Sequence, residues 1–321
     1  MFNLNIQKNI PLAPLTTFKI GGPAKFFCEV ASEEELIEAV EYAKDNKLAI
    51  FVLGGGSNIL VSDEGFDGLV IRIQDTIHKI QDTKLECGAG LFLSEAVKLA
   101  KENSLSGLEW AAGIPGTIGG AVRGNAGAYG FDMNSIVSNV KVLVIDSEEN
   151  GSGKEIQSSK FKTFTNKECN FDYRGSVFKE NKNLIILSCV LELRKGDQAE
   201  IGGKMRDIVK KRMEKIPKDP SPGSFFQNPT VQDGELIKKF ERDTGCVCRN
   251  KKIPAGWLID EAGLRGKKMG GVAVSEKHGN FVINLGAGKA QDVVMLASLI
   301  KMKIRDEFGV QLKEEIQYVG F

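Results

Sequence analysis

The sequence predicts an α+β protein of more than one domain, assembled from α/β units, and three observations lead there. The chain has 321 residues, a length that favours two or three domains. Apolar runs short enough for strands alternate with amphipathic stretches long enough for helices. Pro217, Pro220 and Pro222 stiffen a short stretch after a long helical pattern, which marks the passage into a further domain. The expected bounds are 1–75, 76–215 and 216–314, with 315–321 returning to the first part.

Taken in order, residues 16–24 are extended and then turn, and 26–30 form a strand. Ser32 and Glu35 make a capping box before a helix that places Leu36, Ala39, Val40 and Ala43 on one face. The run 49–53, AIFVL, has the signature of a buried strand and feeds into Gly54-Gly55-Gly56-Ser57-Asn58. A glycine loop at a strand end presents its amides in a crevice. It is not GxGxxG, however, and residues 59–62 are β-formers, so a Rossmann fold is disfavoured. No P-loop motif occurs.

A short strand follows at 84–87, then a helix at 94–103 with Ala96, Val97 and Ala100 inward. Residues 113–130, GIPGTIGGAVRGNAGAYG, hold seven glycines in eighteen positions. Such a run should be neither a stable helix nor an interior strand, because glycine costs backbone entropy in both. It offers backbone N–H groups that approach phosphates or flat rings with no Cβ in the way. Two glycine cradles in one chain suggest a single large, phosphate-bearing ligand.

Beyond it the pattern gives a buried strand at 140–145, a solvated hairpin tip at 147–153, a polar knot at 170–176 and a long strand at 184–193. Residues 195–215 hold a basic amphipathic helix with Ile201, Met205, Ile208 and Val209 inward. A charged insertion occupies 230–252. A helix at 255–262, strands at 271–274 and 281–284, a long apolar-faced helix at 290–308 and a closing strand at 315–319 complete the chain.

Composition excludes several classes. A net charge of +1 gives no global field toward nucleic acid or anionic membrane. No apolar run approaches the ~18 residues of a membrane span, and the N-terminus lacks the continuous apolar core of a signal peptide. The six cysteines are scattered, Cys246 and Cys248 form CxC, and two histidines supply a zinc site poorly. Reduced, mostly structural thiols in a cytoplasmic protein are expected, with no metal and no obligate protein partner.

Three polar residues stand in unusual settings. Ser224 lies between Gly223 and Phe225-Phe226, Arg174 follows Tyr173 in the polar knot, and Glu315 opens the last strand. Each has a plain alternative: a serine bonding its own backbone, a surface ion pair, an exposed strand-end carboxylate. From the residues alone Glu315 and Glu314 are equivalent. Together, an arginine suits a substrate carboxylate, a hydroxyl can deliver a proton, and an acid can steady a developing enol. Hydride chemistry would then need a cofactor, which the two glycine cradles could hold.

With these stretches in hand, the chain resembles the UDP-N-acetylenolpyruvoylglucosamine reductases of peptidoglycan synthesis. The marks, in order, are TTFKIGGPA (16–24), VLGGGSNIL (52–60), the glycine run 113–130, DYRGS (172–176), GSFFQNP (223–229), AGWLIDEAGLRG (255–266), GGVAVSEKHGNFVIN (270–284) and LKEEIQYVG (312–320). Each is weak alone; eight in this order are specific.

The resemblance implies FAD held by a PCMH-type (vanillyl-alcohol-oxidase-like) fold of two α/β subdomains, with a C-terminal α/β domain for the substrate. It implies that NADPH reduces FAD, that hydride passes from flavin N5 to C3 of the enolpyruvyl ether of UDP-N-acetylglucosamine enolpyruvate, and that C2 is then protonated. Carried over by motif, Arg174 holds the enolpyruvyl carboxylate, Ser224 donates the proton and Glu315 stabilises the enol, which separates it from Glu314. Gly54, Gly55, Gly56, Ser57 and Asn58, with Gly113, Ile114, Pro115, Gly116, Gly119, Gly120 and Ala121, fall on the FAD-cradling loops. Tyr129, Asn228, Arg265 and His278 fall on contacts to the UDP-sugar. Arg265 stands where lysine is common, which keeps the charge at the diphosphate and alters its geometry. His278 stands where some members have glutamine, Lys19 where arginine is frequent and Gly124 where methionine is frequent. A flavin oxidase of the same fold, acting on another alcohol or sugar, is the alternative.

Overall fold

The computed structural model describes residues 4–145 and 161–321, so the hairpin tip expected at 147–153 lies outside it. Contacts gather the described chain into two units. The first holds residues 4–9, 26–55, 67–145 and 161–212, and the second holds 10–25, 56–66 and 213–321.

In the first unit a five-stranded antiparallel sheet runs in the order Phe161–Thr165, Val137–Val144, Leu184–Glu192, Lys84–Gly88, His78–Gln81. Its middle strand explains the long apolar run in the sequence. Leu184 and Ile186 enter one core together with the helix Leu93–Glu102, while Ile185 and Leu187 enter another. Alternation is absent because both faces of the strand are covered. That second core also takes Leu36, Ala39, Val40 and Ala43 from the helix Glu33–Asp45, the face expected from the sequence. The Ser32 hydroxyl accepts from the Glu35 amide (3.2 Å), whereas the Glu35 carboxylate returns to the Ala31 amide (2.6 Å).

Three expectations change here. The strand Ala49–Leu53 pairs in parallel with Phe66–Ile73, but only Leu53 is buried, since the strand is the edge of its sheet. The helix Gln198–Lys215 buries Ile201 and half-buries Met205 and Ile208, yet Val209 is exposed. The glycine run contains an α-helix after all, Ile118–Arg123. Thr117 caps it, accepting from the Gly120 amide, and Ile118, Ala121 and Val122 are buried. Apolar burial of ~1.5–3 kcal/mol per large side chain outweighs a glycine cost of ~1 kcal/mol.

The second unit is built on the long helix Ala290–Phe308, which buries Val293, Leu296, Ala297, Ile300 and Ile304. Against the same core lie the helices Ala255–Glu261 and Gly234–Thr244 and an antiparallel sheet of Lys268–Met269, Val272–Val274 and Val282–Asn284. The helix Gly234–Thr244 forms within the charged insertion. Phe18, Ile20 and Leu60 belong to this core, and the strand Gln317–Val319 pairs in parallel with Ile59–Val61. The early segments are bonded in by polar groups. Asp63 accepts from the Ala290 and Gln291 amides (2.8 and 3.1 Å) and so caps the long helix, while the Asn284 side-chain amide donates to the Phe18 carbonyl (3.1 Å).

Candidate functional site

In the first unit the two glycine stretches meet. A Cβ placed on Gly55 would lie 2.7 Å from the Gly116 Cα, and one on Gly54 would lie 2.7 Å from the Thr117 hydroxyl oxygen. Bare backbone is required for this approach. Gly116 also adopts φ +120°, a left-handed conformation open to glycine. Several amides expected to face a ligand are committed internally: Ile114 donates to Ala111, Gly119 to Ala89, Gly120 to the Thr117 hydroxyl and Ala121 to Thr117. Among the described residues the amides of Gly54, Gly55, Gly113 and Gly116 have no protein acceptor. Nearby in sequence, the buried Trp110 indole N–H also lacks a partner. Unspent amides beside exposed glycine fit a phosphate-bearing, flat group, and Gly120 is open, its nearest neighbour for a Cβ being the Thr117 hydroxyl at 3.6 Å.

Arg174 belongs to this unit and is fixed by a tight turn. Asp172 and Gly175 exchange both backbone hydrogen bonds (3.1 Å each), which leaves Tyr173 and Arg174 at the tip, with Arg174 at φ +59°. The turn is tied to the end of the glycine run. The Asn125 side-chain amide donates to the Asp172 carbonyl (2.9 Å), and the Ser176 hydroxyl donates to the Arg123 carbonyl (2.7 Å). Arg212, which sequence reasoning missed, donates to the Gly113 carbonyl (3.2 Å), and Tyr129 lies within its electrostatic reach. Burial holds the Arg212 pKa below its ordinary value, and Tyr129 acts in the opposite sense.

Ser224 and Glu315 come together in the second unit. Gly223 turns the chain at φ +81°, and the residues after Ser224 run antiparallel to the terminal segment. The Glu315 amide donates to the Phe225 carbonyl (2.8 Å) and the Gln227 amide to the Lys313 carbonyl (2.9 Å), with Phe226 opposite Glu314. Asn280, buried and also missed, locks this register, accepting from the Phe226 amide (2.9 Å) and donating to the Phe226 carbonyl (2.8 Å). Asn58 closes the group by donating to the Glu315 carbonyl (3.2 Å). The neighbouring Glu314 carboxylate is engaged by Lys301 at 2.9 Å.

A pocket of about 280 Å³ opens in the same unit, lined among others by Lys215, Trp257, Asp260, Arg265, Lys277 and His278. Arg265 and His278 are thus brought together. Arg265 grips Asp260 with two of its nitrogens and donates a third bond to the Glu276 carbonyl (3.1 Å). His278 Nδ1 accepts from the Asn280 amide (3.1 Å). Burial lowers the His278 pKa, opposed by Asp260. Asn228 accepts from the Ala255 amide (3.0 Å) at the start of Ala255–Glu261, and Tyr129 lies in the other unit. No spacing signal in the sequence singles out Lys215, Lys277 or Asp260.

The six cysteines are free; burial pushes Cys28, Cys87 and Cys169 up to about 12, so these thiols stay protonated. Among the described residues no three His, Cys, Asp or Glu groups are placed to hold a metal ion, and no helix is long and apolar enough to cross a membrane.

Known proteins match the chain in both parts and over nearly its whole length. Residues 24–148 match the family model of an FAD binding domain, and residues 215–319 match that of the UDP-N-acetylenolpyruvoylglucosamine reductase C-terminal domain. The reductase of Solibacter usitatus is 35% identical over 99% of this chain and 98% of its own. That of Caldanaerobacter subterraneus is 38% identical over 97% of this chain and 93% of its own. The crystal structure of the Thermus caldophilus reductase covers 98% of this chain and 99% of its own, with a TM-score of 0.75 at 31% identity. The fold is therefore the PCMH-type FAD-binding fold with its C-terminal domain. Matched almost end to end by the first two of these relatives at 35–38% identity, and by the third in structure, the chain belongs to the UDP-N-acetylenolpyruvoylglucosamine reductase family.

Proposed function

We propose that this protein reduces the enolpyruvyl ether of UDP-N-acetylglucosamine enolpyruvate to UDP-N-acetylmuramate for peptidoglycan synthesis, with NADPH as reductant. The observation that carries the reading is the likeness, over almost the full chain, to reductases of that name. FAD, held by residues 54–58 and 113–121, supplies when bound the hydride that reaches C3. Arg174 receives the substrate carboxylate and draws charge toward it as C3 is reduced. Its turn, tied to the glycine run, supports that role, because a misplaced charge stabilises little.

Ser224 delivers the proton to C2, and Glu315 orients that hydroxyl and stabilises the enol. The backbone bond between Glu315 and Phe225 supports this pairing. General acid assistance of this kind is worth ~10²–10⁴-fold in rate. Tyr129, Asn228, Arg265 and His278 contact the UDP-sugar, a reading that the pocket around Arg265 and His278 supports. Residues 1–75 and 76–215 act as the flavin subdomains and 216–314 as the substrate domain. The protein works in the cytoplasm without an obligate partner, nucleic acid or membrane.

The test is product analysis after anaerobic turnover in deuterated water. The product should be heavier than the substrate by two hydrogen isotopes, with solvent deuterium at C2 and, at C3, hydrogen or deuterium according to how far the exchangeable flavin N5–H has equilibrated with solvent. NADPH consumption without any change in the substrate would sink the reading.

A further inference from the structure

Cys28, Cys87, Cys169 and Cys189 are buried, and burial holds their thiols above the ordinary range. Cys246 and Cys248 differ from them. Cys246 is exposed, Cys248 is half-buried, and only the exposed Val247 separates the two. They follow Gly245, which ends the helix Gly234–Thr244 at φ +67°. From 241 to 252 four basic residues outnumber two acidic ones, a surface that suits an anionic ligand.

This segment is bonded at both ends to residues at the pocket. The Cys248 amide donates to the Glu241 carboxylate (2.8 Å), and its thiol donates to the Lys252 carbonyl (3.4 Å). Between them Asn250 and Lys251 both adopt positive φ, +53° and +55°, a conformation that strains residues with side chains. Just beyond, the Val231 amide donates to the Lys251 carbonyl (2.8 Å) and the Ile253 amide to the Pro229 carbonyl (3.1 Å). Asn228 then accepts from the Ala255 amide. At the other end Phe240 packs edge-on against Trp257, with ring centroids 5.4 Å apart, and Trp257 lines the pocket.

We propose that Cys246 and Cys248 form a reversible redox modification site for small anionic disulfides of the glutathione disulfide class. The exposed Cys246, as thiolate, attacks one sulfur of the disulfide RSSR, giving a mixed disulfide and releasing the first thiol RSH. The Cys248 sulfur then attacks Cys246 Sγ, expels the second RSH and closes a Cys246–Cys248 bond. Two protein thiols are thereby oxidised, one RSSR is reduced, and the two thiol protons leave on the RSH released. Burial and the Glu241 carboxylate raise the Cys248 pKa, so this thiol stays a donor to Lys252 until the mixed disulfide draws it off. A bond across one intervening residue closes a small, exposed ring, and disulfides of that kind are readily reduced. Closure takes the Cys248 sulfur from the Lys252 carbonyl and loosens the left-handed turn, which weakens nucleotide-sugar binding at the adjoining pocket.

The experiment treats the flavin-loaded enzyme with glutathione disulfide and follows it by mass spectrometry and peptide mapping. The wild type should pass through a single glutathione adduct and end lighter than the reduced protein by two hydrogens, with the new bond joining Cys246 to Cys248. Cys248→Ser should stop at the adduct on Cys246, and Cys246→Ser should react far more slowly. In the same samples, calorimetric affinity for UDP-N-acetylglucosamine should fall severalfold on oxidation and return with dithiothreitol. In Cys246→Ser it should not respond to the treatment. A wild type that keeps the adduct without closing the ring would overturn the proposal. So would glutathione on the buried cysteines instead, or unchanged affinity after complete oxidation. Absence of product with the untreated protein would fault the functional reading instead, and the masses would still decide the thiol chemistry.

Discussion

Glu314 and Glu315 are adjacent and chemically alike, but their surroundings differ. Lys301 neutralises Glu314, whereas the Glu315 backbone is bonded on one side to the segment of Ser224 and on the other to Asn58. Glu315→Gln should therefore reduce kcat by at least tenfold more than Glu314→Gln, and steady-state assays with the reverse ranking would show that the terminal register is misread. Ser224→Ala should leave flavin reduction by NADPH nearly intact in stopped-flow traces and slow reoxidation by substrate ~10²-fold or more. Equal slowing of both half-reactions would remove Ser224 from the proton-delivery role. His278 titrates with a definite sign. Because burial depresses its folded pKa, the unfolded chain binds the proton first as pH falls. Stability from this group is fully present above the unfolded value of about 6.5 and is lost as pH falls from there through the lower folded pKa. Urea midpoints should drop from pH 7 to pH 5, and less so in His278→Gln.

At the scale of elements, the glycine loops carry two separable demands. Gly55→Ala would set a methyl against the Gly116 Cα, so loss of both thermal stability and bound flavin is expected. Gly120→Ala meets only the Thr117 hydroxyl, at an ordinary contact distance of 3.6 Å, and should melt near the wild-type temperature while retaining less flavin on dilution. Asn280→Ala should cost ~2–4 kcal/mol in urea unfolding, because it orphans both backbone groups of buried Phe226. The helices Glu33–Asp45 and Ala290–Phe308 were legible because their apolar spacing is local. Asn280, Asp63 and Arg212 were not, since each acts on backbone distant in sequence. The helix Ile118–Arg123 was hidden by composition: three buried side chains and a threonine cap outweigh its two glycines.

At the scale of the whole molecule, two stretches of the N-terminal quarter, 10–25 and 56–66, cluster with residues 213–321. Local periodicity has no term for returns of this kind, so these two stretches carry no mark of it in the sequence. The terminal strand Gln317–Val319 pairs in parallel with Ile59–Val61, which clusters with it in the same unit. The ordered motifs, by contrast, exposed the family and its flavin from sequence alone. The central claim, a flavin reductase of the enolpyruvyl nucleotide sugar, is tested most directly by the visible spectrum of the purified protein under anaerobic conditions. Flavin bands should bleach with NADPH and return when UDP-N-acetylglucosamine enolpyruvate is added. Bands that return only when air is admitted would contradict the account and indicate a flavin oxidase.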